Sequence, residues 1–485
     1  MNHISGVSRE QITLFPEAIE DYITADNPVR FLDVFVNHLD MGRLGFHHVT
    51  VNETGRPPYD PKDLLKLYLY GYLNRIRTSR LLERETKRNL EMIWLLKRLS
   101  PDHKTISDFR KDHSQALRNV FEEFVLICKQ LELFGAELVA IDSTKFKASN
   151  ARDRVKDKEQ LDNSIARINE TISQHLTQLD QNDITDEQMT PRVVSQHELQ
   201  KRIDSLKQQE AKLNQARTEM EQNAQKYSSL TDPDCRLMKN DRRIEPAYAV
   251  QTAVDAKHSL LIDYEITQDA VDNNHLAAVA KAAKQTLDVE TLMAVADKGY
   301  YDTVDLKVCE DADITAYVPI PEQKVPRRTN VPTPGFYHDK FVYDESSDNY
   351  CCPQGNTLQR FSSRRNKHDH RLIYLYRTVA CQHCPVRAQC TTSPRGRYVY
   401  RWEYEAVLDR LQQRLAEHPQ IVKRRKALIE HVFGTIKKIW GYGALLLRRL
   451  TKVAGEVALI SLTYNIRRVL NIVGTLTLIA HLCRT

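Results

Sequence analysis

The stretch ELVAIDSTKFKA, residues 137–148, ends an apolar run on a carboxylate and continues into small hydroxyls and lysines. Leu138, Val139, Ala140 and Ile141 predict a short buried strand, because four apolar residues bounded by polar ones suit a sheet core better than an amphipathic helix. Asp142 is then expected at the mouth of that strand, where open sheets place their chemistry. A lone strand-end aspartate can equally well open a turn, so its meaning depends on whether other acids converge on it.

Further along, AYAVQTAVDAKHSLLIDYEIT (247–267) reads as two strands flanking a DAKH turn. NNHLAAVAKAAKQTL follows as a helix, and TLMAVADKGYYD as a second buried strand ending in Asp297, with Gly299 in the turn after it. This order predicts Asp142 and Asp297 at the ends of neighbouring strands. A third acid comes from IVKRRKALIEHVFGTIKKIWG (421–441), read as one continuous helix. With Glu430 as zero and about 100° per residue, Lys423, Lys426, Gly434 and Lys437 fall within about 40° of it. Ile429, Val432, Phe433 and Ile436 form the packing face. A Lys426–Glu430 pair uses one lysine of that stripe and contributes only a few tenths of a kcal/mol. Three lysines suit a phosphodiester backbone lying over the stripe. Two aspartates and a glutamate suit Mg²⁺, which takes oxygen ligands, and two such ions about 4 Å apart serve phosphoryl transfer.

The chain of 485 residues is long enough for about three domains, and 28% charged with 41% hydrophobic residues is neither disordered nor membrane-like. Its net charge of +6 is mild, but the bases cluster: RIRTSRLLERETKR from Arg75, PRR at 326–328, SRRNKHDHR from Ser363, KRRK at 423–426, Arg448/Arg449 and Arg467/Arg468. Clusters along one path suggest a polyanion. The first residues lack the basic-then-apolar order of a secretory signal, and IVGTLTLIAHLC is too short to span a bilayer, so no membrane association and a cytoplasmic location are expected.

Residues 1–130 predict helices, with NPVRFLDVFVNHL and PKDLLKLYLYGYL separated by the helix-breaking TGRPPYDP. LLERETKRNLEMIWLLKRL and HKTISDFRKDHSQAL then give short helices joined by a turn, an arrangement able to lie on DNA. Residues 151–228 are polar and without glycine. Apolar positions at Leu161, Ile165, Ile168, Ile172, Leu176 and Leu179, then Leu199, Ile203, Leu206, Leu213 and Met220, predict an antiparallel helical hairpin inserted between sheet strands and turning near QNDITDEQMTP.

Nine cysteines without a signal point to reduced thiols or metal. Cys352, Cys381, Cys384 and Cys390 make a candidate structural Zn²⁺ site, with Cys352 preferred over Cys351 because Pro and Gly follow it. Such a site would organise residues 322–418, which read as poorly cored and zinc-ribbon-like.

VAIDSTKFKA, YAVQTAVDAKH, VADKGYYD and IEHVFGTIKKIWGYG, in that order, resemble the catalytic core of bacterial insertion-sequence transposases of the DDE type. RPPYDPKDLLKLYLYGY and SPDHKTISDFRKDH resemble the DNA-binding region of the same proteins. The resemblance implies an α/β RNase H-like core over 131–321 and 419–471, a helical DNA-binding domain over 1–130, the insertions at 151–228 and 322–418, and a tail from 472. It implies Asp142, Asp297 and Glu430 as ligands for two Mg²⁺ or Mn²⁺ ions. The activity implied is binding of double-stranded DNA at the element ends, phosphodiester cleavage and transfer of the 3′-hydroxyl ends to target DNA, by a homodimer. A nuclease without strand transfer and a non-catalytic DNA-binding derivative are the alternatives. Relatives carry Tyr and Arg seven and four positions before the glutamate and Lys seven after it. Here those positions hold Lys423, Lys426 and Lys437, so only the last matches, and Arg425 is the substitute phosphate ligand.

Overall fold

A computed structural model of the chain describes residues 18–50, 57–186, 196–240, 242–321, 330–366 and 371–484. These divide into two compact units: Met1–Asp272, Ala282–Leu292 and Arg425–Thr485 form one, Asn273–Lys281 and Met293–Arg424 the other. The predicted turn near 181–191, the PRR triplet and residues 367–370 of the SRRNKHDHR cluster lie outside the described side chains.

The first unit is built around the strand Leu138–Lys147, whose first four residues are buried as the apolar run predicts. The strand continues through Lys147, however, so Asp142 stands in mid-strand and not at its mouth. The ladder explains the difference. The long strand Arg243–Asp255 pairs antiparallel with it from Val139↔Asp255 to Lys147↔Ala247, giving the polar segment 143–147 backbone partners that its side chains do not advertise. On its other edge Arg243–Asp255 pairs with Arg236–Asn240 and, after the predicted turn, with Leu261–Thr267. Asp255, fully buried, holds that turn by accepting from the amides of Gly135, Ala136 and Lys257.

Leu450–Val473 is apolar nearly all round and buried over most of its length, which marks it as a central helix. Asn465 ties it to the sheet: its amide donates to the Leu261 carbonyl at 2.7 Å and accepts from the Leu261 N–H at 2.9 Å. The N-terminal helices Pro61–Leu73, His103–Asp112 and Ser114–Gln130 pack on this helix, so residues 18–130 share a core with the sheet. Gly455 permits the closest approach, because a Cβ there would stand 2.8 Å from Ser114 Cα. The expected C-terminal tail forms a helix, Thr475–Leu482, that buries Leu478 and Leu482 and packs against Pro28–His38.

The insertion matches its periodicity. Helices Lys158–Asp186 and Gln196–Gln222 bury Leu161 with Leu213 and Met220. Lys158–Glu221 at 2.8 Å and Asp162–Arg217 at 3.0 Å show that they run antiparallel. Val155–Lys156 and Ser228–Ser229 pair to close the base.

In the second unit the strand Leu292–Val295 lies beside Ile314–Tyr317, with helix Thr303–Glu310 between them in sequence. Residues 342–402 then form a five-stranded antiparallel sheet in the order Val399–Trp402, Leu372–Arg377, Thr357–Arg365, Asn349–Cys351, Val342–Asp344. This segment is not poorly cored: Phe341, Tyr350, Leu358, Tyr376 and Val399 cluster within it. Three aromatic rings make up the volume that Leu and Ile supply elsewhere, so aliphatic counting underestimates it.

The loop Gly441–Arg449 is fastened by one acid. Glu456, fully buried, accepts from the amides of Leu446 and Leu447 at 2.9 Å each, and Arg77 approaches it at 3.4 Å. Glu456→Ala should destabilise the first unit by about 3–5 kcal/mol, since buried donors and a guanidinium lose their acceptor, while Glu456→Gln, which keeps one acceptor oxygen, should lose less. Urea unfolding followed by circular dichroism checks this; wild-type midpoints in both variants would remove Glu456 from that role.

Candidate catalytic carboxylates and cysteine cluster

Strand alternation puts Asp142 and Phe146 on one face of Leu138–Lys147. The helix Pro419–Phe433 and its continuation meet that face at two points. Arg425 Nη1 donates to Asp142 Oδ2 at 2.6 Å, both side chains being about one-fifth exposed. Lys437 Nζ donates to the Lys145 carbonyl at 2.6 Å and lies 5.3 Å from the centre of the Phe146 ring. Asp142 Oδ1 accepts from the Ser143 amide at 2.8 Å, and the Asp142 carbonyl accepts from Thr252 Oγ1. The carboxylate of the opening sequence motif is thus held in place by an amide and a guanidinium on a strand buried at its start.

Glu430 lies between those two anchors in the chain. Its side chain is 68% exposed and stands 3.7 Å from Lys426, so the bland i, i+4 pair does form. The helix is not continuous, though. Gly434–Ile439 is π-helical, with Trp440 N–H bonded to Thr435 O at 2.9 Å. An i→i+5 turn adds a residue per turn, so a wheel drawn at 100° per residue fails beyond Phe433 and Lys437 turns to the strand, out of the lysine stripe. Burial of Ile436 and Trp440 and the Lys437 anchor accompany the wider turn. His431 ties the same helix inward through Nδ1 to Tyr464 Oη at 2.9 Å. Tyr464 itself donates to the Ser259 carbonyl, so Nδ1 is the donor. Burial and then the charge of Arg468 depress the His431 pKa, favouring the neutral ring.

Asp297 lies in the second unit, two residues past Val295 at the end of its strand, as the sequence predicts. Its Oδ1 accepts from the Gly299 amide at 2.7 Å, starting the short turn Lys298–Tyr300. Lys423 and Lys426 are exposed. Among the described residues, no three His, Cys, Asp or Glu side chains are grouped so that they could hold a metal ion.

A network beside Asp142 escaped sequence reading. On the opposite strand face Lys145 Nζ bonds Ser143 Oγ at 3.0 Å and Asp272 Oδ1 at 2.9 Å, and Gln251 donates to the same oxygen. Burial alone would raise the Asp272 pKa, but hydrogen bonds from Ser143 and Lys145 outweigh it and hold the carboxyl below its usual range. Only the alternation of polar residues at 143 and 145 hinted at it.

Cys352, Cys381, Cys384 and Cys390 line one small cavity of about 20 Å³ in the second unit. Cys352 Sγ accepts from the Asn356 amide at 3.3 Å, whereas Cys351 is exposed. Burial raises the Cys390 pKa, with Arg397 opposing it. Gly396, at φ +88°, sits where a Cβ would come 2.8 Å from Cys381 Cβ.

In the N-terminal region the motif residues largely face inward. Arg110 donates to Tyr72 Oη at 2.9 Å and to the Arg77 carbonyl, and Asp102 caps the helix His103–Asp112. Arg80, Arg84, Lys87 and Arg88, on or just after helix Ser79–Glu85, remain exposed. No described helix is long and apolar enough to cross a membrane.

Residues 17–112 match a family model described as a transposase domain, DUF772, and residues 351–470 match a transposase DDE domain. No curated protein matches the chain. Among solved structures, the cryo-EM structure of the piggyBac transposase synaptic complex with hairpin DNA is similar over 95% of this chain and 80% of that one, at 9% identity and a TM-score of 0.34, too slight a likeness to carry weight. The two matched segments flank the strand of Asp142 in chain order, the second includes Glu430, and together they support a DDE-type transposase.

Proposed function

We propose that the protein binds the ends of its own mobile element, hydrolyses a phosphodiester to release a 3′-hydroxyl, and transfers that hydroxyl to target DNA, using an RNase H-like core. Water is the first nucleophile and the 3′-hydroxyl the second, with no covalent protein intermediate. Asp142, Asp297 and Glu430 are the proposed ligands for magnesium or manganese. Their carboxylate oxygens suit these hard cations, which when bound in pairs activate an attacking oxygen and stabilise a leaving one. The observation that carries the reading is the Asp142–Arg425 ion pair at 2.6 Å, on the helix that also bears Glu430 within the matched DDE segment. The guanidinium already supplies Asp142 with a cation, and it has the planar donor set that suits phosphate. With substrate bound, Arg425 would donate to a phosphate oxygen and Asp142, released from that pair, would be the residue to hold a divalent ion. Lys423 and Lys426 are the proposed backbone contacts beside it, and two ends brought together call for a homodimer.

Asp142→Ala, Asp297→Ala and Glu430→Ala should each abolish Mg²⁺-dependent cleavage of element-end DNA while leaving end binding within a few-fold, because binding rests on distributed phosphate contacts. Gel-shift and cleavage assays on sequences flanking the gene test this; near wild-type cleavage by any one variant removes that residue from the set. Integration of pre-cleaved ends into a supercoiled plasmid separates a transposase from a plain nuclease.

Lys437, bonded to the strand, is proposed as a positioning residue, in contrast to the exposed Lys423 and Lys426. Lys437→Ala should lower thermal stability and strand transfer with the salt dependence of DNA binding unchanged, whereas Lys423→Ala/Lys426→Ala should reduce the salt slope by about two counterions' worth. A reduced slope in Lys437→Ala would instead place its ammonium on DNA.

The structural Zn²⁺ is proposed from the Cys-x2-Cys spacing of Cys381 and Cys384 with Cys352 and Cys390 beside them in the sequence; the four thiols line one cavity of the second unit, but no three of them are grouped closely enough to hold a metal ion as they stand. Elemental analysis should find about one zinc per chain, lost in Cys381→Ser/Cys384→Ser together with solubility, since such a site contributes folding free energy. Zinc-free protein purified without chelators would leave the cysteines as core thiols.

A further inference from the structure

We propose that one face of the five-stranded sheet in the second unit docks duplex DNA through guanidinium groups stacked on aromatic rings. Cross-strand register defines the face. Arg364 is opposite Ile373, Gln359 opposite Arg377, and Leu375 opposite Tyr400, so these side chains share one side of the sheet. On it Arg377 lies 3.4 Å from the centre of the Phe361 ring and Arg364 lies 5.1 Å from that of Tyr400. Both ring–guanidinium pairs reach the surface: Phe361 is 52% exposed and Tyr400 44%. The bulge between Arg360 and Ser362 interrupts regular pairing at Phe361.

Charge chooses the occupant. On this face the strands Thr357–Arg365, Leu372–Arg377 and Val399–Trp402 present two arginines, Arg364 and Arg377, and no aspartate or glutamate, whereas Arg360, Arg365 and Arg401 fall on the opposite face, where Arg360 and Arg401 meet Asp348 and Asp409. Among the described residues neither Arg364 nor Arg377 is matched by a carboxylate. A guanidinium lying on a ring is held at low entropic cost and keeps its in-plane N–H donors directed outward, the arrangement that suits phosphate oxygens. Because the rings are already capped, the face is not a stacking platform for unpaired bases. The positions opposite and at Arg364 and Arg377 are four residues apart along Leu372–Arg377, about 14 Å at strand rise, comparable with the roughly 12 Å width of the major groove. Backbone phosphates on either side of one groove are therefore the proposed partners.

The proposal rests on the transposase reading, and its test separates the two. Full-length protein is titrated against a fluorescently labelled random-sequence duplex of about 30 base pairs over a salt series, read by anisotropy. Arg364→Ala/Arg377→Ala should reduce the slope of log K against log salt by about two. Arg364→Gln/Arg377→Gln, which keeps length and hydrogen-bonding capacity, should show the same loss with an unchanged circular dichroism spectrum. Arg364→Lys/Arg377→Lys should keep the slope but bind more weakly, since an ammonium retains charge and loses the planar stacked fork. An unchanged slope in both the alanine and glutamine variants of a DNA-binding wild type overturns this surface and leaves the transposase reading standing. Tighter binding of a single strand of the same length, with the loss in the variants confined to it, overturns the duplex assignment. A wild-type protein that binds no DNA overturns both.

Discussion

The buried carboxylate of Glu456 is the constraint on which the first unit depends. A charge with no solvent must be met by donors, and those available are the backbone amides of the loop after the glutamate helix and the guanidinium of Arg77. Arg77 also donates to the Ala444 carbonyl at 2.9 Å and lies 4.4 Å from the centre of the Tyr442 ring, while Tyr442 Oη donates to the Tyr72 carbonyl. The same loop pairs with the end of the Asp142 strand: Lys147 N–H reaches Gly443 O, and Leu445 N–H reaches Lys147 O. One acid on the central helix therefore determines where the N-terminal helices, the Gly441–Arg449 loop and the Asp142 strand meet.

From that junction the site follows. Pinning Gly441–Arg449 anchors the end of the π-helical turn, and Lys437 anchors its middle to Lys145. The helix is then held against the strand face carrying Asp142, and Arg425 reaches the carboxylate. Glu430, between the two anchors, projects to solvent. A π-type turn in this position trades regular hydrogen bonding for side-chain placement, a recurrent use of such turns near functional groups.

The two insertions illustrate different ways of forming a core. The helical hairpin buries a narrow aliphatic seam and satisfies its backbone internally, so it was legible from spacing alone. The sheet segment 342–402 uses tyrosines and arginines, residues that single-sequence reading assigns to surfaces. Its aromatic cluster and ring-stacked guanidinium groups emerge only when strands far apart in sequence are paired.

Local chemistry was enough for the apolar run ending at Asp142, the strand ending before Asp297 and the hairpin periodicity, because each is a property of neighbouring residues. The length of the Asp142 strand, the π turn that removes Lys437 from the lysine stripe, and the use of Glu456 as a loop anchor were decided by partners 100 or more residues away or by a backbone bond one residue longer than the helical repeat. A sequence period assumes one residue-per-turn value throughout, and a ladder partner leaves no mark on the strand it pairs with. Those choices are therefore made only when the chain closes on itself, where burying Ile436 and Trp440 and satisfying a solvent-free carboxylate outweigh the regular helix.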